Sequence, residues 1–163
     1  MVTQPVPKTS LLTIEDLEQI ESDERFELIR GECADMSPTT YLHGRISGRI
    51  AGSLSAFATP KNLGDVIVGE AGFVLRHDPD TVLVPDVSFI RADRVPDVND
   101  QRRFADLVPD IVVEVLSPSD RANRVTDKVM LYLEAGAKLI WVVDADRRIV
   151  MVYRAADPST ARI

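Results

Sequence analysis

The stretch Ile111-Val112-Val113-Glu114-Val115-Leu116 constrains the fold more than any other part of the chain. A β-branched apolar run of strand length reads as a strand buried on both faces. Ser117-Pro118-Ser119-Asp120 then supplies a stop and capping groups. A helix is expected from there through Glu134, with Gly136 as its C-terminal cap. "KLIWVVD" follows as a second strand. Strand, helix and strand in this order make a crossover unit, which lays two strands parallel in one sheet with the helix packed against it.

The rest of the chain supplies partners for that unit. Thr13 can cap a short helix over 13–20, "TIEDLEQI", whose first turn is acidic. "RFELIRGECADMSP" reads as two short strands turning at Gly31. From Tyr41 to Ala58 the apolar residues Leu42, Ile46, Ile50, Leu54 and Ala58 recur every four positions, a helical stripe that Arg45 and Arg49 fall outside. "DVIVGEAGFVL" is one strand or two, bent at Gly69 and Gly72, and "VLVPDVSFI" is a strand on either side of Pro85. The polar stretch 91–108 is a connection with at most a helical turn near 100–106. "KLIWVVD" and "RIVMVYR" form a hairpin around Asp144-Ala145-Asp146-Arg147. The expected fold is α/β (α+β), a mixed sheet flanked by helices: a leader over 1–12, one domain over 13–154 and a tail over 155–163.

Composition narrows the class. No apolar run approaches the ~20 residues that span a bilayer, and the N-terminus lacks the layout of a secretion signal, so a cytoplasmic protein is expected. Cys33 is the only cysteine, which excludes an intrachain disulfide and a thiolate zinc cluster. The net charge of −7 weighs against nonspecific nucleic-acid binding. Its weight is small, because a metal-dependent nuclease carries carboxylates in its site and can gather its bases on one face. Basic residues do cluster, at Arg45 with Arg49, Arg102 with Arg103, Arg121 with Arg124 and Lys128, and Arg147 with Arg148.

Glu114 needs an explanation, since a carboxylate is costly inside a strand core without a partner, a metal or a hydrogen-bond network. It could face solvent on a half-exposed strand or pair with a buried arginine. It could also share a metal ion with Asp86, because adjacent strands lie ~4.8 Å apart and carboxylates at matching heights can hold one Mg²⁺. Asp110 is a poorer partner, as at ~3.3 Å per residue it lies roughly 13 Å along the same strand. Glu70, on the preceding strand, is a candidate third oxygen ligand or an exposed residue beside a glycine bend. Lys128, with Arg124 one turn before it, could reach back from the helix to the carboxylates or lie on its solvated face.

His43 and His77 are the only histidines, so a histidine metal site is not expected, and a capping or helix-face role is assigned to His43. Ser117 and Ser119 read as turn and cap residues rather than nucleophiles. Trp141 reads as a core or subunit-contact aromatic, and Gly44 and Gly48 lie within a helix with no phosphate-loop pattern around them.

The series "FELIRGECADMSP", "GEAGFVL", "VPDVSFI", "VPDIVVEVLSPSD", a following helical lysine and "YLEAGAKLIWVVDADRRIVMVYR" resembles the Uma2 (DUF820-type) family of restriction-endonuclease-like proteins over about residues 13–154. That resemblance implies the PD-(D/E)XK nuclease superfamily, with a central mixed sheet flanked by helices and carboxylates that bind Mg²⁺ or Mn²⁺ for phosphodiester hydrolysis. It implies metal ligation by Asp86 and Glu114, with Glu70 matching the family's acidic residue in the preceding strand. The lysine that the superfamily keeps two residues after the glutamate is replaced by Leu116, and Lys128 matches a lysine recurring in the family's next helix. The expected activity is therefore Mg²⁺-dependent cleavage of DNA, with Asp86, Glu114, Lys128 and Glu70 as the catalytic set. Homodimerisation is expected on functional grounds, since cutting a duplex needs two sites. The alternative is a nuclease-like fold that no longer cuts and serves as a binding or assembly protein; another small metal-dependent hydrolase is a third reading.

Overall fold

A computed structural model describes residues 11–19, 26–36, 39–97, 101, 103–117 and 122–162. Most of the expected leader, together with Arg102, Ser119 and Arg121, lies outside the described residues. The apolar run that opened the sequence forms strand β7, Ile111–Val115, which pairs in parallel with β8, Leu139–Asp144, from Ile111 opposite Leu139 to Val115 opposite Val143. Helix α3, Ala122–Ala135, connects them as the crossover requires, and Gly136 follows with φ +106. All other pairings in the sheet are antiparallel. Its order is β10-β9-β8-β7-β6-β3, where β3 is Gly64–Val68, β6 Val87–Arg91, β9 Ile149–Arg154 and β10 Asp157–Arg162.

Both faces of this sheet are covered, which is why β7 carries an unbroken apolar run rather than an alternating one. On one face lies helix α2, Tyr41–Ala58, whose Ile46, Ile50, Ala51 and Leu54 pack with Val87, Val113, Val115 and Val143. On the other face lies α3, whose Val129, Leu131 and Tyr132 pack with Val112, Ile140 and Val142. Each fully buried aliphatic side chain here contributes about 1.5–3 kcal/mol. Strand alternation therefore turns Val113 and Val115 toward α2 and Val112 and Glu114 toward α3.

A second sheet, ordered β2-β1-β5-β4, packs beside α3. Its strands are β1, Phe26–Ile29, β2, Glu32–Asp35, β4, Phe73–Arg76, and β5, Thr81–Leu83. Leu28, Val74 and Val82 meet Leu17 of the short helix α1, Ile14–Glu18, which Thr13 and Asp16 cap reciprocally. Leu83, Ile29 and Leu75 face the other way, into the α3 cluster. Alternation along β1 thus sends Leu28 toward α1 and Glu27, with Ile29, toward α3.

Two expectations change. The segments read as strands around Gly69–Gly72 and around Pro85 each break into two strands that belong to different sheets. The chain leaves the large sheet after Val68 and returns to it after Pro85. Pro85 has no N–H to give a ladder, so the strand is interrupted there. The stretch expected as a tail forms the edge strand β10. Its polar sequence, "DPSTAR", carries no apolar alternation, and a sheet edge tolerates its proline. Among the described residues no helix is long and apolar enough to cross a membrane.

Candidate metal and nuclease site

The pairing of β6 with β7 sets Val87 opposite Val113. Asp86 stands just before Val87 and Glu114 just after Val113, so the two lie at the same end of these strands; the Glu114 side chain turns to α3, while that of Asp86 meets His43 of α2. Asp86 leads into β6 and is held in place by its neighbours. Its Oδ2 accepts a 2.6 Å hydrogen bond from the Val115 N–H and lies 3.1 Å from His43 Nε2. The Asp86 carbonyl accepts from the Gly69 N–H at 3.0 Å, tying the end of β3 to the same point.

Glu114 is not exposed, and among the described residues its partners are a lysine and a tyrosine rather than an arginine. Lys128 and Tyr132, one turn apart on α3, both reach it. The Lys128 ammonium lies 2.9 Å from Glu114 Oε1 and 3.0 Å from Oε2, and the Tyr132 hydroxyl donates to Oε1 at 2.9 Å. Lys128 also lies 2.9 Å from Oε1 of Glu27, which accepts from the Val84 N–H at 2.9 Å as well. Glu27 Oε2 faces the Arg124 guanidinium at 3.9 Å. The side chains of Lys128, Glu114 and Glu27 are only 12%, 13% and 2% exposed, so one ammonium is clasped between two carboxylates almost out of water.

The electrostatics follow from that enclosure. Burial pushes the Glu114 carboxyl up to about 7; Lys128 opposes the rise, and the charges of Glu27 and Asp86 add to it. Burial alone would lower the Lys128 pKa, but Glu114 and Glu27 outweigh it and hold the ammonium above its ordinary range. Tyr132 is raised well above its usual value, by burial first and then by Glu114 and Glu27, so it stays a neutral donor. A carboxyl group able to exchange a proton near neutral pH, beside a fixed cation and a second carboxylate, is the kind of arrangement found at chemical sites.

The sequence candidates take definite places. Asp86 and Glu114 lie at the same end of β6 and β7, and Lys128 reaches back to Glu114. Glu70 stands exposed in the bend after β3, with φ +67, next to Gly69, whose N–H donates to the Asp86 carbonyl. Asp110 sits at the opposite end of β7, where it accepts from the Arg91 N–H and pairs with Arg94 at 2.8 Å. Glu27, Tyr132 and the contact of His43 with Asp86 were not anticipated. His43 lies on the buried face of α2 and points its ring at the site instead of serving as a cap.

The donors are hard oxygens, as Mg²⁺ and Mn²⁺ prefer. Among the described residues no group of three His, Cys, Asp or Glu is set to enclose an ion.

A mixed sheet between two helices is the architecture of the restriction-endonuclease-like class. A crystal structure from Anabaena variabilis, described as that of "a putative nuclease belonging to DUF820", has the same fold. Its TM-score is 0.77 at 23% identity, over 91% of this chain and 81% of that one. The comparison with curated proteins finds no match. The family model described as "Uma2: Putative restriction endonuclease" matches residues 13–162, and the chain belongs to that family.

Proposed function

We propose that this chain is a Mg²⁺- or Mn²⁺-dependent DNA endonuclease that hydrolyses phosphodiester bonds at the Asp86–Glu114 pair. The observation that carries the reading is the clasp of Glu114 by a buried lysine at the strand end where Asp86 leads into β6. A divalent ion held by these two carboxylates would supply a Lewis acid for the scissile phosphate and a water of lowered pKa. The protein's own part is positional and electrostatic. Tyr132 and Lys128 fix the plane of the Glu114 carboxylate, and the Val115 N–H and His43 fix that of Asp86. Lys128 places a permanent positive charge where negative charge grows on the phosphate in the transition state. Glu70, in the exposed bend next to Gly69, is proposed as a further oxygen ligand once substrate is bound. A cytoplasmic homodimer with one site per strand of the duplex completes the proposal.

A second reading is favoured by the same clasp. Lys128 already serves two carboxylates, which is also how an inactive nuclease-like fold used for binding or assembly would neutralise a disused site. Cleavage of supercoiled plasmid in Mg²⁺, in Mn²⁺ and in EDTA, by the wild type and by Glu114→Ala, separates the two. The nuclease reading expects metal-dependent nicking that Glu114→Ala abolishes. A wild type that binds no metal and does not cut, or a Glu114→Ala variant that cuts equally well, would remove it.

A further inference from the structure

Resting on the nuclease reading above, we infer that duplex DNA lies across the strand ends on two arginines, Arg124 of α3 and Arg148 of the β8–β9 turn, each of which binds a backbone phosphate. The topology brings both to the end of the sheet that carries the carboxylates. β8 runs parallel to β7, with Glu114 opposite Val142 and Val115 opposite Val143, so the turn that follows Asp144 lies beyond the C-terminal end of β7. Asp86 enters β6 at the same end. Arg148 immediately precedes Ile149, which pairs with Asp144 on the next strand over. With ~4.8 Å between strands and ~3.3 Å per residue, its backbone stands on the order of 13 Å from that of Glu114. On the side of the small sheet, Arg124 lies one turn before Lys128, near the start of α3, with its guanidinium 3.9 Å from Glu27.

The charges at this end call for such a pair. When ionised, Glu27, Asp86 and Glu114 set three negative charges against Lys128 and Arg124 on a chain of net −7, so a phosphate approaches an acidic centre. Lys128 is enclosed between two carboxylates at 12% exposure, and Arg147 is paired with Asp144 at 2.7 Å. Arg124 is 44% exposed, and a guanidinium fork has five N–H donors, enough to keep Glu27 and take a phosphate as well. Arg148 is exposed and, among the described residues, in no salt bridge. Both positions also run against local preference. Arg148 has φ +58, the left-handed conformation that hairpin turns ordinarily give to glycine or asparagine. Arg124 sets a positive charge near the positive end of a helix dipole. Neither placement favours the fold, and an anion brought to both arginines offsets the two costs.

The test is fluorescence anisotropy of the full chain with a labelled DNA duplex in EDTA, over a series of NaCl concentrations. Arg124→Ala and Arg148→Gly are each expected to weaken binding about tenfold at low salt and to lower the salt slope by about one. Glycine suits the left-handed turn, so Arg148→Gly should melt no lower than the wild type, and an arginine with a purely structural role would not lose binding while stability is retained. Arg91→Ala removes the same charge at the opposite end of β6, and its affinity should stay within about twofold of the wild type. Wild-type affinity and slope in Arg148→Gly, or in a folded Arg124→Ala, overturns the inference, as do an equal loss in Arg91→Ala and a wild type that binds no duplex. Plasmid nicking by the wild type in Mg²⁺ leaves the nuclease reading standing in each of those cases, whereas absence of both binding and nicking removes both. The expected losses without any nicking keep the two arginines as a DNA contact and remove the nuclease reading. Circular dichroism establishes whether Arg124→Ala is folded, and if it is not, Arg148→Gly alone decides.

Discussion

Replacing Lys128 with methionine in the metal-free protein removes the ammonium while keeping a side chain of similar length. Glu27 and Glu114, 2% and 13% exposed, lose the cation between them, leaving Glu27 with the Arg124 guanidinium at 3.9 Å and Glu114 with the Tyr132 hydroxyl. Removing one partner of a buried ion pair costs about 3–5 kcal/mol, and here two carboxylates lose the same partner. The cost should approach the upper end of that range at pH 8, roughly a third or more of a typical domain's total stability. Protonation limits it. Glu114 already titrates near 7 because of its burial, and without Lys128 it should hold its proton more tightly still. A carboxyl whose folded pKa lies above its unfolded value stabilises the fold fully below the unfolded pKa, and that contribution is lost as pH rises through the folded one. In the wild type this window runs from 4.5 to about 7; in the variant it extends higher. At pH 5.5 Glu114 carries its proton in both proteins, so the variant's deficit should be smaller there by roughly 1–2 kcal/mol. Urea denaturation in EDTA at the two pH values, with linear extrapolation to water, measures both quantities. A loss below about 1 kcal/mol at pH 8, or an equal loss at both pH values, would refute the buried clasp.

Apparent Mn²⁺ affinity should fall about tenfold between pH 8 and pH 6, because Glu114, titrating near 7, must release its proton to bind; calorimetric titration showing a flat profile would remove Glu114 from the ligand set. Asp86→Asn keeps an acceptor for the Val115 N–H and should lower the melting temperature little, by about 1 kcal/mol or less of stability, while abolishing both Mn²⁺ binding and plasmid nicking. Tyr132→Phe preserves the packing of a fully buried ring and loses one hydrogen bond to Glu114, a cost of about 1.5–3 kcal/mol at pH 8 by urea denaturation. Gly64→Ala should cost roughly 3 kcal/mol or more, since φ is +144 and an added Cβ would stand 1.9 Å from the Ile90 carbonyl oxygen; a melting temperature unchanged from wild type would contradict the backbone path there.

The parts of the fold legible in the sequence were those whose signal is local. The β7–α3–β8 unit combines an apolar run, a proline–serine stop, an amphipathic helix and a glycine cap, and each agrees with the others. Less legible was which sheet a strand joins. Val66 to Val68 and Phe73 to Arg76 are adjacent in sequence and similar in composition, yet they lie in different sheets. That separation depends on the bend at Gly69–Gly72, where Phe104 from the 91–108 connection packs so close to Gly72 that a Cβ would meet it at 2.5 Å. Nothing in the strand sequences themselves encodes the neighbour that forces the turn. β10 was missed for the opposite reason: an edge strand held by backbone bonds needs no apolar alternation.

The site divides along the same line, and Leu116 shows how. One residue past the end of β7 and two beyond Glu114, it packs partly buried against the α3 cluster. A lysine at that position would enter the group of side chains that α3 covers. Here the covering helix provides the ammonium instead: Arg124, Lys128 and Tyr132 recur every fourth residue, so one stripe of α3 presents all three to the carboxylates. That stripe was partly visible in the sequence, through Arg124 and Lys128. Its counterpart was not, because Glu27 sits in a four-residue strand where Phe26 and Leu28 alternate as if its own face were solvated. The available signal was a likeness between two strands: Phe-Glu-Leu-Ile and Val-Val-Glu-Val each enclose a single glutamate among apolar residues. Two such carboxylates can be buried in one domain at tolerable cost only if a cation lies between them. With Leu116 apolar and no arginine within either strand, that cation had to come from the helix packed over both, and Lys128 is the residue that reaches them.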